Sequence, residues 1–362
     1  MANPLSGGAE VQLTEIFTRF ITRGDRITLL SSGFRGAKRE DNYRGIRIVR
    51  TSTREIFNFA VPHLVRRLEQ GEHYDLIVED INKIPFFTPL YIKKPLLVII
   101  PHLFGATVFR EINPLVASYV YLMERPIPIV YRHALFTVDS ESTKHDLIHR
   151  GIQRERIRVV YCGVDHTAYS HVPSVSKFSQ PTILCVARVK KYKSIDVVIR
   201  AIPEVVNAVP DVRLVIVGSG DYLSALQHLT YKMKLTDRVT FTGYVSEEEK
   251  VDWMRRSHVI VNSSPKEGWG LTNIEANACG TTAVASDVPG LRDSVRDGET
   301  GLLFPYGNTH ALALTLIRIL RDDALRGKLS HNAISWAQTF TWDDSAQKTM
   351  AVVDELMGYF RR

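Results

Sequence analysis

The chain of 362 residues has no apolar run near the roughly 20 residues that would span a bilayer. Its first ten residues, MANPLSGGAE, show neither the basic start nor the apolar core of a secretory leader. Cysteine is scarce: Cys162, Cys185 and Cys279 lie far apart without a CxxC. That excludes a disulfide frame and a zinc cluster, and it fits a reducing cytoplasm. No Walker A, HExxH or GxSxG pattern occurs. Gly218-Ser-Gly220 starts like a dinucleotide fingerprint, but Leu223 holds the third glycine position, which disfavours hydride transfer. No Asp-x-Asp follows a strand-like run, so a metal-bound diphosphate is not expected, and no metal ligands are assigned.

What is present is globular. The chain is 44% apolar and 23% charged, enough for two cores, and its length suggests two domains. The formal charge is +7, and its excess lies early: residues 1–170 carry 23 Lys/Arg against 18 Asp/Glu, the remainder 23 against 21. Arg35, Lys38, Arg39, Arg44, Arg47, Arg50 and Arg54 concentrate it. Such a cluster fits a peripheral contact with anionic lipid at the inner membrane face or an acidic acceptor, against the plainer alternative of a solvated surface. No stacked aromatics or helix-turn-helix pattern accompany it, so nucleic acid is not an expected partner.

Strand-length apolar runs alternate with helical-period segments from end to end. The first half predicts strands at Ile27–Ser31, Ile46–Arg50, Leu76–Glu79, Leu96–Ile100, Leu135–Val138 and Ile157–Tyr161. The second predicts Thr182–Val186, Arg213–Val217, Val239–Thr242, Val259–Asn262, Ala283–Ser286 and Gly301–Phe304. A helix is expected at Ala9–Arg23 with Gly24 as its C-cap, and Ser246-Glu-Glu-Glu249 is a capping box. His166–Gln180 breaks the pattern and is the candidate linker. The expected class is α/β: two doubly wound domains, 1–168 and 181–344, facing a cleft at their strands' carboxyl ends. After Asn308 the chain reads as helical apart from a break at Thr341–Asp344. Glycine-rich Leu5–Ala9 opens a helix with only four residues before it, where a strand is expected, so a form extended by about ten apolar-rich residues is expected to behave better.

The densest chemical signal is Glu267-Gly-Trp-Gly-Leu-Thr-Asn-Ile-Glu275, after Val259–Asn262 and before Ala276-Asn-Ala-Cys-Gly280. It reads as strand, glycine-rich loop, helix start, short helix and glycine stop. A helix N-terminus offers unpaired N–H groups and a positive dipole end to phosphate. With Glu267 in the loop and Glu275 about one turn inside the helix, the layout suits a sugar nucleotide. Three further clusters fall at strand ends. Gly7-Gly8 precedes a helix, where glycine lets backbone approach a diphosphate, although any tight turn uses glycine. Arg188 and Lys193 share one loop and suit a diphosphate clamp, although Lys190 and Lys191 make a plain basic loop the alternative. His102 follows Leu96–Ile100, placed for a sugar hydroxyl or a proton, or simply satisfied by backbone.

Taken in order, these motifs resemble a retaining glycosyltransferase of family 4 with the GT-B fold, over essentially the full length. The matching residues are Gly7-Gly8-Ala9-Glu10, Cys162-Gly163-Val164-Asp165, Ala187-Arg188 with Lys193–Asp196, Val217-Gly-Ser-Gly220, Thr242-Gly-Tyr244, the E-x7-E segment through Ala278-Cys-Gly280, and Ser286–Gly290. Trp269 stands where the family often has Phe. The resemblance implies that Arg188 and Lys193 bind the donor diphosphate and that Glu275 holds the ribose. It places Glu267 near the donor sugar, with backbone N–H groups of Gly268, Trp269, Gly270 and Leu271; Thr272 and Gly218 belong to the same donor surface. Tyr244 and Val245 flank the base, His102 is the active-site histidine, and helix 345–362 returns to the first domain. A UDP-hexose donor is implied, UDP-glucose in particular, releasing UDP without a further cofactor or metal. Acceptors are a glycan, a glycolipid or a polysaccharide, as in exopolysaccharide biosynthesis. A double displacement needs a carboxylate about 5 Å behind the anomeric carbon, and none is evident, so front-face attack is the expectation. Two other functions fit the same residues: a nucleotide-sugar epimerase, and a non-catalytic nucleotide-sugar-binding protein.

Overall fold

The structure is a computed structural model and describes residues 7–53, 56–110 and 112–360. Its chain divides into two compact units, one reaching Gly163 and taking back the chain from Trp342, the other Val164–Thr341. The expectation of a strand before Gly7 lies outside the described residues, as does Arg54.

In the first unit the elements are α1 (Gly8–Arg23), β1 (Thr28–Ser32), β2 (Glu40–Tyr43), β3 (Ile46–Thr51), α2 (Phe57–Gly71), β4 (Ile77–Asp80), β5 (Leu96–Ile100), α3 (Pro114–Glu124), α4 (Ile127–Val130), β6 (Leu135–Val138), α5 (Glu141–His149) and β7 (Ile157–Val159). Helix α1 stops at Gly24, whose φ of 102° is the left-handed cap that only glycine adopts without strain. Two sheets form here, β1-β3-β2 and β4-β5-β6-β7. The second is wholly parallel, and its β5 and β6 are buried along their length. Strand β2 is absent from the sequence expectation. Its residues, Glu40-Asp-Asn-Tyr43, carry no apolar alternation, yet they pair antiparallel with β3. Arg44 and Gly45, both at positive φ, close that two-residue hairpin.

The hairpin pairs part of the basic cluster with acids, while Arg35, Lys38 and Arg39 stay exposed. Arg44 pairs with Glu15 at 2.6 Å, Arg47 with Glu40 at 3.3 Å and with Glu72, and buried Arg50 with Asp41 at 3.1 Å. These three cations are spent inside the unit rather than presented as a free basic surface.

In the second unit the elements are β8 (Thr182–Val186), α6 (Ile195–Ala208), β9 (Arg213–Val217), α7 (Leu223–Lys232), β10 (Val239–Gly243), α8 (Glu247–Arg256), β11 (Val259–Asn262), α9 (Leu271–Ala278), β12 (Ala283–Ser286), α10 (Leu291–Ser294), β13 (Gly301–Phe304), α11 (Thr309–Arg321) and α12 (Asp323–Gln338). One six-stranded sheet runs β10-β9-β8-β11-β12-β13, and every pairing in it is parallel. Helices cover both faces, so the strands read as near-continuous apolar runs. Ile183, Leu214, Ile216, Val261, Leu302 and Phe304 pack with Val198, Ile202, Leu312 and Leu316 in one core. The expected linker segment is tied to this unit: Arg255 donates to Ala168 and Ser170, and Lys177 to Gly280 and Thr281. The last helix, α13 (Trp342–Phe360), packs on α1 in the first unit, with Arg19 bonded to Asp343 at 2.5 Å. The break before it falls at Thr339–Thr341, earlier than the sequence suggests.

Candidate functional site

The order of the second sheet reverses between β8 and β11. Ligands of doubly wound sheets bind at such a switch point, beyond the carboxyl ends of the strands. The loop after β8 carries Arg188 and Lys193; the loop after β11 carries Glu267. Ser263 joins the two loops, its hydroxyl donating to the Lys193 and Ser194 carbonyls at 3.1 and 3.0 Å.

That tie brings Lys193 onto Glu267, where Nζ donates to Oε1. Both side chains are mostly buried. Burial disfavours the Lys193 charge, but the Glu267 carboxylate more than offsets it, and the ammonium pKa is raised. Arg188 is exposed, donates to the Tyr192 hydroxyl at 3.3 Å, and is near enough for its charge to act against that of Lys193. Two cations and one carboxylate thus meet where α9 begins.

The start of α9 is set by glycines. Gly270 sits at φ 79° as the N-cap and offers no side chain of its own to the first N–H groups of α9. A Cβ there would lie 2.8 Å from the Ser294 hydroxyl. Gly290, at φ 83°, passes so close to Glu267 that a Cβ would stand 2.0 Å from its carbonyl oxygen. Glu267 N–H donates to Pro289 at 3.3 Å, so α10 and its glycine fix the backbone that aims the Glu267 side chain.

Trp269 is only 3% exposed, and its ring stacks edge-on against Phe340 at 4.9 Å. Its side chain therefore anchors the loop from inside, while the sequence expectation concerns its backbone N–H. Gly218 is also explained without a ligand: a Cβ there would stand 2.0 Å from the Ala187 carbonyl oxygen. Its neighbour Gly220 makes the same approach to Val189, and together they seat the loop that bears Arg188. Tyr244 is 84% exposed beyond β10, with Val245 half-buried beside it. Gly268 is buried, and Leu271 and Thr272 begin α9.

Glu275 points from α9 toward α8 and meets a residue that sequence reading missed. Lys250 Nζ lies 3.5 Å from its Oε2 and 3.0 Å from Glu247. Burial pushes the Glu275 carboxyl up to about 7, Lys250 works against that rise, and Glu247 adds to it. The sequence shows Lys250 as one more charge after a capping box; that it faces Glu275 is a property of helix packing.

His102 and Gly7-Gly8 belong to the first unit. His102 is half-buried, its ring 4.8 Å from that of Phe104. The loop holding it hangs on Glu124, another residue absent from the sequence expectation. Glu124 is 1% exposed and accepts from the N–H groups of Phe104 and Gly105 at 2.7 and 2.8 Å, with Arg150 at 3.5 Å. Thr143 secures the other side by donating to the Pro101 carbonyl at 2.9 Å. Gly7 N–H donates to Glu10, and a Cβ on Gly8 would meet nothing within 4 Å. The fold itself therefore does not demand a glycine at position 8. No three potential metal ligands gather among the described residues, and no described helix is long and apolar enough to cross a membrane.

The profile described as Glycosyl transferases group 1 matches residues 171–336, and that described as Glycosyltransferase Family 4 matches residues 6–168. A D-inositol 3-phosphate glycosyltransferase of Streptomyces bingchenggensis is 31% identical over 242 residues, 62% of this chain and 53% of that protein. The chain spans about half the length of the curated relatives it matches. Among solved structures, sucrose-phosphate synthase from Thermosynechococcus elongatus superposes with a TM-score of 0.84 at 22% identity, covering 98% of this chain and 94% of that one. HepE of Anabaena, solved with UDP-glucose, superposes at 0.76 with 19% identity, covering 98% and 97%. At these identities the two structures share the fold.

Proposed function

Given that the chain belongs to glycosyltransferase family 4 and has its GT-B fold, we propose that it moves a hexose from a nucleotide-diphosphate sugar to an acceptor hydroxyl with retention. The observation that carries this is the Lys193–Glu267 pair on the loops before the glycine-started helix α9, at the switch point of a parallel sheet. Departure of the diphosphate is the difficult event, so stabilising its charge is the main lever. Arg188 and Lys193 take the diphosphate. Glu267 exchanges the lysine for sugar hydroxyls, aided by N–H groups from Gly268 to Thr272. Glu275 accepts from the ribose, and the base lies by Tyr244 and Val245. Gly7, Gly8 and His102 serve the transfer step. The bond from anomeric carbon to phosphate oxygen breaks, the acceptor oxygen bonds the same face, and the acceptor proton passes to the departing phosphate.

UDP-glucose is the proposed donor, supported by its presence with HepE. The acceptor is a glycan, glycolipid or polysaccharide. Support for lipid comes from α3, since three cations of the basic cluster are already paired with acids. Leu115 is 83% exposed, Val116 52% and Leu122 54%, and Arg125 and Arg132 are exposed just beyond. The only acid from 112 to 133, Glu124, is buried. Such a face suits the surface of an anionic bilayer, and co-sedimentation with anionic rather than zwitterionic vesicles is the expected outcome.

A thermal-shift panel of nucleotide sugars, followed by assays of donor hydrolysis and transfer, tests the whole proposal. Stabilisation by UDP-glucose with turnover is expected. Stabilisation without turnover on any acceptor favours a binding protein, inverted donor favours an epimerase, and no stabilisation by any nucleotide sugar overturns the proposal.

A further inference from the structure

Glu275 and Lys250 form part of a chain of four side chains from three segments of the second unit. Tyr169, in the segment before β8, bonds through its hydroxyl to Glu247 on α8. Lys250, one turn along α8, holds Glu247 at 3.0 Å, lies 5.0 Å above the Tyr169 ring, and reaches Glu275 at 3.5 Å. Lys250 is 20% exposed and Glu275 14%. A lysine so enclosed has surrendered most of its hydration and rotamer freedom, which an ordinary surface ion pair does not require. Glu247 and Tyr169 hold it in place, and its ammonium lies between Glu247 at 3.0 Å and Glu275 at 3.5 Å.

We propose that Lys250 is a positioning residue for the donor: it keeps the Glu275 carboxylate charged and oriented to accept from the two ribose hydroxyls. This role rests on Glu275 as the ribose holder. The physical need is plain. A carboxylate offers acceptors on both oxygens, whereas a protonated carboxyl turns one of them into a donor. Burial alone drives Glu275 toward the protonated form, and it reaches about 7 even with Lys250 beside it. Glu247 pushes the same way, so Lys250 is the counterweight. Among the described residues, the charges that act on Glu275 are those of Lys250 and Glu247, both from α8; Cys279, one turn along α9, is buried with its thiol pushed up to about 12 and stays neutral. Lys250 itself stays charged, because Glu275 and Glu247 more than offset its own burial.

The test is UDP binding to the full chain by calorimetry from pH 5.5 to 9, with ADP and GDP as alternative probes. In Lys250→Met, affinity at pH 7 falls roughly tenfold and the low-pH loss of binding moves up by about one unit, recovering toward the parent value near pH 9. The donor KM rises rather than kcat falling. Lys250→Arg keeps the parent profile. If Lys250→Met leaves the pH profile in place, whether or not affinity drops, Lys250 is merely structural and the proposal fails. The underlying assignment fails separately: either no nucleoside diphosphate binds the parent protein, or Glu275→Gln binds it as well as the parent does.

Discussion

The two units use the same alternation of strand and helix but secure their loops differently. The second unit fixes its site with glycines: Gly218, Gly220, Gly270 and Gly290 let backbone segments pass where a Cβ would collide. The first unit fixes its loops with buried carboxylates. Glu79 accepts from Tyr131 and from the Phe86 N–H, Glu124 from the N–H groups of Phe104 and Gly105, and Asp139 from Gln12. Steric fixation is indifferent to pH. Carboxylate fixation titrates, and it leaves orphan donors behind when the acid is removed.

The largest effect that would break this contrast lies in the second unit's chemistry. Lys193→Ala and Glu267→Ala are each expected to lower turnover by on the order of 100-fold or more, with a lower melting temperature but a folded protein, because each strands a mostly buried charge. Near-normal transfer by either variant removes the pair from the mechanism. Gly290→Ala comes next. A non-glycine at φ 83° costs about 1–2 kcal/mol before the collision with Glu267 is counted, so a clear drop in denaturant midpoint is expected. A midpoint equal to the parent's shows that the loop can yield. Glu124→Ala is expected to cost about 1–3 kcal/mol, because two buried N–H groups lose their acceptor. Hydrogen exchange then rises around Phe104 and Gly105, and an unchanged exchange pattern removes Glu124 as the anchor.

The smallest effect concerns pH. Burial holds Asp139 up at about 6, above its ordinary 3.8. A raised carboxyl lends stability that is full below about pH 4 and is lost as pH climbs through 6. In the second unit Glu275, raised to about 7, loses stability in the same direction, while His258, driven down to about 4 by burial and neighbouring cations, gains it. Exchange measured between pH 4 and 7 should therefore show the first unit loosening more than the second, and Asp139→Asn should flatten the trend. Equal slopes in parent and variant rule that out.

The same contrast decides what was legible in sequence. Runs such as Thr182–Val186 and Ala283–Ser286 are buried on both faces and end where the chain must turn, so their bounds match the strands. The E-x7-E segment stood out because glycine, strand and helix signals surround it. Strand β2 was hidden because charge pairing rather than apolar alternation holds it, through Arg47 on Glu40 and Arg50 on Asp41. Nothing local to Trp269 says that its ring turns inward to Phe340. Lys250 acts through a residue 25 positions away, and Glu124 through residues 20 and 19 positions away, pairings that only the fold creates.

The Lys193–Glu267 pair has one more consequence. Lys193 already has a counter-ion in Glu267, and only Arg188 is left over, so an anion that takes Lys193 from Glu267 leaves that carboxylate stranded. A molecule that brings an anion for the lysine and hydroxyl groups for the glutamate replaces both partners in one exchange. On the proposed function the pair works as a two-key lock, favouring a sugar joined to a diphosphate over either part alone.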